Sequence, residues 1–202
     1  MSDGAPPCEV VVATSNPGKL REIRAILREL PLAFVGLDAV ADVHLPEEGD
    51  DYEANARLKA QAVALGSGRP AVADDSGLEV EGLGGAPGPR SARYGGAALD
   101  DAGRVAHLLQ QMQSLTGDAR RARFVCIAAL ATPEGDVLTA RGECAGRIRK
   151  EPVGRGGFGY DPVFEVEGDT RVMAELSAAE KNRISHRARA FQALRESLLR
   201  LA

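Results

Sequence analysis

The chain has 202 residues, 44% of them hydrophobic and 27% charged, with a net charge of −4. That is enough for one large domain or two small lobes around a proper core, and the slight acidity argues against a protein that coats nucleic acid. No apolar run reaches the length of a membrane span, and the three scattered cysteines, Cys8, Cys126 and Cys144, give neither a disulfide framework nor a zinc site.

Residues 1–8 carry no basic-plus-apolar signal pattern and are expected to form a loose, disordered tail ahead of one domain over 9–202. The cysteine usage suits a reducing cytoplasm. Residues 9–13 read as a buried first strand. Thr14-Ser15-Asn16-Pro17-Gly18-Lys19 then turns the chain into a helix marked by Leu20, Ile23, Leu27 and Leu30, and Pro31 stops it. Asn16 or Ser15 can cap that helix, and Pro17 suits its first turn. A strand feeding such a turn gathers free N–H groups and a helix dipole where an anion can sit, and Lys19 adds a charge. The same residues also describe an ordinary capped helix with a surface lysine. This is not a P-loop, because Leu20 stands where a hydroxyl would hold Mg²⁺.

Residues 32–46 supply a short strand and a loop. The acidic run Glu47-Glu48-Gly49-Asp50-Asp51 enters a second helix over 52–65, which Gly66-Ser67-Gly68 ends. Acids suit a helix start with or without a ligand, and Lys59 inside that helix reads equally as a solvated cation. Residues 70–74 form the next strand, with another over 78–81. At the seam stands Asp74-Asp75-Ser76-Gly77. Adjacent carboxylates resist ionising together, so a pair at the end of a buried strand points to a shared cation. A Mg²⁺ site with a phosphate substrate competes here with an ordinary turn. If one strand runs through both acids they face opposite sides, and only one can be the direct ligand or base.

Residues 82–96 form an irregular loop, and 100–112 a helix with Val105, Leu108, Leu109 and Met112 inward. Strands over 122–131 and 137–148 make a hairpin. Residues 154–159 match G-x-G-x-x-G, but no strand leads in and no helix is opened, so a dinucleotide site is rejected. The adjoining Phe158-Gly159-Tyr160-Asp161 offers aromatic faces and a carboxylate suited to stacking on and hydrogen-bonding a base. Ser177 and Glu180 form a capping-box pattern. A final helix carries Ile184, Ala188, Phe191, Leu194, Leu198 and Leu201 on one side. Lys181, His186 and Arg187 share no face of a single regular helix. For them to act together the helix must break near Ser185, which then caps a new one; otherwise they are a solvated face. Alternating strands and helices followed by a hairpin predict an α/β fold with a mixed sheet.

Thr14-Ser15-Asn16-x-x-Lys19, Ala73-Asp74-Asp75-Ser76-Gly77-Leu78, Gly88-x-x-Ser91-Ala92-Arg93-Tyr94, Gly156-Gly157-Phe158-Gly159-Tyr160-Asp161-Pro162 and Glu180-Lys181-x-x-Ile184-Ser185-His186-Arg187 stand in this order. Together they resemble the inosine triphosphate pyrophosphatases, also called dITP/XTP pyrophosphatases. The resemblance implies a two-lobed α/β fold around a long mixed sheet with the site in the cleft, and a homodimer. It implies Mg²⁺-dependent hydrolysis of ITP, dITP and XTP to the monophosphate and pyrophosphate, which cleans the nucleotide pool. By position, Thr14, Ser15, Asn16, Pro17, Gly18 and Lys19 would hold the phosphates, with Lys59. Asp75 would be the metal-linked catalytic base and Ser76 a substrate contact. Glu47, or its rival Glu48, would be a second metal ligand, with Asp74 supporting. Phe158, Gly159, Tyr160 and Asp161 would enclose the base, and Lys181, His186 and Arg187 would close over its 6-oxo edge. The run Glu47-Glu48-Gly49 departs from the family's usual Glu-Thr-Gly. The readings that compete are a pyrophosphatase for pyrimidine or modified nucleoside triphosphates, and a nucleotide sensor without turnover.

Overall fold

The computed structural model describes residues 7–41 and 43–202. Most of the expected tail, residues 1–6, lies outside the described residues, while Cys8 already belongs to the first strand, β1 (Cys8–Val12). Then follow α1 (Pro17–Leu27), β2 (Leu32–Val35), α2 (Tyr52–Ser67), β3 (Ala71–Val80), β4 (Pro87–Gly88), α3 (Asp101–Gln111), β5 (Arg121–Ala131), β6 (Val137–Ile148), β7 (Phe164–Val166), α4 (Ala178–Ile184), α5 (His186–Ala193) and α6 (Arg195–Leu199). The strands form one mixed sheet in the order β2-β1-β3-β5-β6-β7, with β4 added to β3. The α/β expectation holds. β4 and β7 were not foreseen, because two or three residues are too few to show a period.

The central strand corrects one expectation. Residues 70–74 and 78–81 are not two strands but a single β3, paired antiparallel with β5 from Ala71↔Ala131 to Val80↔Ala122. Its other edge is split. β1 pairs with Ala71 and Val72, β4 pairs with Leu78 and Glu79, and residues 73–77 between them meet no strand on that side. The gap leaves the backbone of the two aspartates without a strand partner on that side, and Gly77 sets its lower lip. A Cβ there would fall 2.1 Å from the carbonyl oxygen of Gly88, so only glycine admits the β4 backbone.

The sheet divides its cores by strand parity. On one face Val72, Cys126, Ala128 and Leu130 pack under α1, α5 and α6 with Ile23, Leu27, Phe191 and Leu198. Farther along the same face Leu78, Val80, Phe124 and Ile148 pack under α3 with Val105, Leu108 and Met112. These two clusters are the lobes, and the cleft lies between them. On the opposite face Ala71, Ala73, Val125 and Ile127 pack against Ala56, Ala60, Val63 and Ala64 of α2, whose small side chains bring the helix close to the sheet.

Ser185 breaks the final helix as predicted. It ends α4 at φ −67°, ψ 154°, and its hydroxyl accepts from the Ala188 amide at 3.2 Å to start α5. The break lets Ile184 join the α3 cluster while Phe191 joins the α1 cluster. The capping box of Ser177 and Glu180 is present, and Asn16 rather than Ser15 caps α1. Gly142 of β6 lies under the start of α5, where a Cβ would meet the His186 carbonyl oxygen at 2.2 Å.

Candidate active site

Consecutive residues of β3 send Asp75 to the α2 side and Asp74 to the α1 and α5 side. Asp75 is 3% exposed. Its Oδ2 accepts from Asn55 Nδ2 at 2.8 Å, and its Oδ1 lies 3.4 Å from Lys59 Nζ. Lys59 also donates to the free Asp74 carbonyl at 2.8 Å, a group left open by the split edge, and to Glu48 Oε1 at 2.5 Å. Burial raises the Asp75 pKa, and Lys59 and Asn55 oppose that without cancelling it. Burial works against the Lys59 charge, but Asp75, Asp74 and Glu48 outweigh it and raise its pKa.

Glu48 and Asp75 thus face one cation from two sides. Glu47 is exposed and makes no ion pair among the described residues. Asn55 explains the choice: it clamps Gly49 through N–H and carbonyl at 2.7 and 3.2 Å, which turns the preceding Glu48 inward. No group of three metal-ligating side chains occurs among the described residues. Two carboxylates at a cation position, with room for phosphate and water oxygens, nonetheless fit Mg²⁺, which takes few protein ligands.

Asp74 does not join that pair, because strand alternation puts it on the other face. Its Oδ2 meets Lys19 at 3.1 Å, Arg187 at 3.0 Å and the Ser76 hydroxyl at 2.6 Å. Burial opposes ionisation, yet Lys19, Arg187 and Lys59 hold the carboxyl well below the usual range. Arg187 also meets Glu22 at 2.5 Å, and Glu22 meets Lys181 at 2.8 Å. Lys181 in turn meets Asp161 at 2.5 Å. Burial raises the Asp161 pKa against the pull of Lys181.

The loop over 157–161 is folded on these charges. Asp161 Oδ2 accepts from the Phe158 amide at 2.9 Å, and a Cβ on Gly157 would fall 1.9 Å from that oxygen. The Tyr160 hydroxyl donates to the Ser91 carbonyl at 2.9 Å. Phe158 lies with Lys181 Nζ 4.9 Å from its ring centroid and rests on Gly18. His186 stacks on Phe124 at 4.8 Å, with its Nδ1 buried and unpartnered. Burial, then Arg187 and Lys181, hold its pKa well below the usual value, so the ring is neutral.

A cavity of about 380 Å³ collects most of the expected residues: Thr14, Ser15, Asn16, Lys19, Glu48, Lys59, Asp75, Ser76, Phe158, Gly159, Tyr160, Asp161, Lys181, His186 and Arg187. That volume suits a small-molecule site. Pro17, Gly18, Glu47 and Asp74 do not line it. Pro17 and Gly18 shape the helix start, where Asn16 Oδ1 already takes the Gly18 and Lys19 amides at 2.8 and 3.1 Å. Asp161 Oδ2 is bound to Lys181 and the Phe158 amide and the Tyr160 hydroxyl to the Ser91 carbonyl, while Asp161 Oδ1 makes no hydrogen bond among the described residues. Lys181 and Arg187 reach the cavity with their charges already shared by acids.

The profile of the Ham1 family matches residues 10–197. The chain belongs to the Ham1 family. A dITP/XTP pyrophosphatase of Streptomyces coelicolor is 49% identical over 190 residues, covering 92% of this chain and 94% of that one. A dITP/XTP pyrophosphatase of Thermus thermophilus is 47% identical over 189 residues, covering 94% and 91%. A solved HAM1 protein from Coxiella burnetii matches at TM-score 0.85 and 38% identity, over 96% of this chain and 99% of that one.

Several residues of this Ham1 site escaped the sequence reading. Asn55 had a signal, since asparagine is disfavoured inside a helix unless its side chain has work there. Glu22 had little, being one polar residue among several on α1. Asp101, whose Oδ2 takes the Gly159 amide at 2.7 Å, and its neighbour Arg104 read as the ordinary start of a helix.

Proposed function

We propose that the protein hydrolyses non-standard purine nucleoside triphosphates, dITP, ITP and XTP, to the monophosphate and pyrophosphate with Mg²⁺, and so clears them from the nucleotide pool. Membership of the Ham1 family and the names of its relatives support a hydrolase of triphosphate anhydrides. The observation that carries the reading at this site is Asp75, a buried carboxylate of raised pKa in the sheet gap, facing Lys59 and Glu48.

Glu48 and Asp75 would hold Mg²⁺, which when bound supplies positive charge to the polyphosphate leaving group. Asn55 fixes Asp75 Oδ2, which leaves Oδ1, on the Lys59 side, as the oxygen to take a proton from the attacking water. Lys59 and Lys19 neutralise phosphate oxygens, and Lys19 exchanges Asp74 for them. Thr14 and Ser15 contribute hydroxyl donors at the same end. At the other end Phe158 offers a ring face to the base. Neutral His186 has one nitrogen that donates and one that accepts. Held in the tautomer whose donor faces the base, His186 would pair with a 6-oxo group and leave the 6-amino group of adenine opposed, a strong ground for rejection.

The test is pyrophosphate release from dITP, ITP, XTP, ATP and dTTP, with and without Mg²⁺. Expected are rates on the inosine and xanthine nucleotides about 100-fold above ATP, and none without the metal. Preference for dTTP would assign a pyrimidine pyrophosphatase; tight binding without release would assign a sensor. We also infer a cytoplasmic homodimer. Its unpaired cysteines suit that compartment, and sedimentation at the monomer mass would refute the dimer.

A further inference from the structure

Reading the 6-position cannot complete the specificity just proposed. Hypoxanthine, xanthine and guanine all carry a 6-oxo group, so a donor at that edge rejects adenine and accepts guanine. Guanine differs at C2, where it presents an amino group. Xanthine presents a carbonyl there and hypoxanthine a hydrogen. A site that spares GTP needs a second reader, and a group that only donates would serve: it pairs with a carbonyl, tolerates a hydrogen and opposes an amino group.

Among the described residues, Arg104 is the cation of the cavity that holds a buried donor without a partner. Lys19, Lys59, Lys181 and Arg187 are all bound to acids of the site. Arg104 also lines the cavity, but its partner is Asp101, an exposed acid on its own helix, 3.2 Å from Nη1. Its Nε is buried with no partner. The side chain is only 16% exposed, so it is part of the wall. The other oxygen of Asp101 takes the Gly159 amide, next to Phe158, which fixes Arg104 beside the loop at the base end. Guanidinium has five N–H donors, no acceptor, and no accessible neutral form. An unpaired buried Nε carries a desolvation cost, and a guanidinium held this way keeps its Nη2 end for a ligand acceptor.

We propose that Arg104 is a specificity-determining residue that reads the C2 substituent of the base, favouring the carbonyl of a dioxopurine and excluding the amino group of guanine. This rests on the pyrophosphatase reading above. A 2-oxo group at the base end would give the Arg104 guanidinium an acceptor, with Nη2, which makes no hydrogen bond among the described residues, as the donor. The 2-amino group of guanine sets N–H against N–H and leaves both unpaired.

The experiment compares kcat/KM for XTP, ITP and GTP in the wild type, Arg104→Met and Arg104→Gln, with a melting curve for each. Expected for Arg104→Met is a loss of about tenfold or more on XTP, as for a hydrogen bond to a charged group, with ITP within about threefold. Arg104→Gln, which brings an acceptor, is expected to raise GTP hydrolysis as well. Should both unfold, Arg104→Lys keeps the stem and charge but loses the planar fork, and the XTP/ITP ratio must fall in it. Equal losses on all three nucleotides, or unchanged ratios in the folded variants, overturn the assignment while the pyrophosphatase reading stands. A wild type inactive on every purine triphosphate overturns the reading and the assignment with it.

Discussion

Neutralising the two adjacent aspartates separately should divide stability from turnover. Asp74→Asn keeps the shape but removes a 1%-exposed anion that meets Lys19 at 3.1 Å and Arg187 at 3.0 Å. Breaking a buried ion pair from one side costs about 3–5 kcal/mol. In a chain of this length each kcal/mol moves Tm by about 2–4 °C, so the fall should be about 6–20 °C. Arg187 keeps Glu22, which favours the lower end of that range. Asp75→Asn is different. Burial already disfavours the Asp75 charge, and Lys59 retains Glu48 and the Asp74 carbonyl. Its Tm should move by less than about 4 °C, while turnover falls at least about 100-fold as the proton acceptor is lost. Circular dichroism melts at pH 7 and pyrophosphate release from ITP with Mg²⁺ read the two quantities. An Asp75→Asn protein that melts as low as Asp74→Asn, or that keeps its turnover, would refute the division of roles by strand face.

The Asp74 pKa also fixes a pH dependence. Its folded value lies below the unfolded value of about 3.9, so the unfolded chain binds the proton more readily and stability rises with pH. The contribution is complete above the unfolded pKa and is lost as pH falls through the folded one; urea unfolding between pH 3 and 7 should show a shallower acid slope in Asp74→Asn. Asp75 and Asp161, both raised, act in the opposite sense, costing stability once pH exceeds their folded values. Asn55→Ala releases Gly49 and Asp75 together, so the Mg²⁺ concentration for half-maximal rate should rise at least about tenfold, as for loss of a group that orients metal ligands; an unchanged value would remove Asn55 from the metal end. Gly18→Ala puts a Cβ 2.8 Å from Phe158 Cδ1, so KM for ITP should rise severalfold with little change in Tm, and an unchanged KM would show that Phe158 does not need that seat.

The legible parts of this fold were the local ones. The Asn16 cap, the Ser177 box and the Ser185 break are each decided within a few residues, by hydroxyl or amide oxygens that meet nearby N–H groups. The break was inferred from chemistry, since Lys181 and Arg187 could meet no other way. What escaped depended on distant chain. Ser76 and Gly77 have turn composition, yet ten residues of pairing with β5 overrode it. Gly77 is explained by the passing backbone of Gly88, eleven residues further along and beyond a local window. Choosing Glu48 over Glu47 required the Asn55 clamp on Gly49. The commitment of Lys181 and Arg187 to Glu22 required α1 to lie beside α4 and α5.

Lys19, Asp74, Arg187, Glu22, Lys181 and Asp161 alternate in sign without interruption, each within 3.1 Å of the next. The series begins at the phosphate turn and ends under the loop that carries Phe158. An anion that draws Lys19 away would leave Asp74 to Arg187 and the Ser76 hydroxyl, and Glu22 would then have more of its charge to give Lys181. Occupancy at one end therefore resets the partners available at the other. On the proposed function, the triphosphate and the base would be thermodynamically coupled ligands, and by reciprocity each would change the affinity for the other by the same factor. Free nucleoside plus free triphosphate should not sum to the affinity of the nucleotide, even after the entropy of joining them is counted.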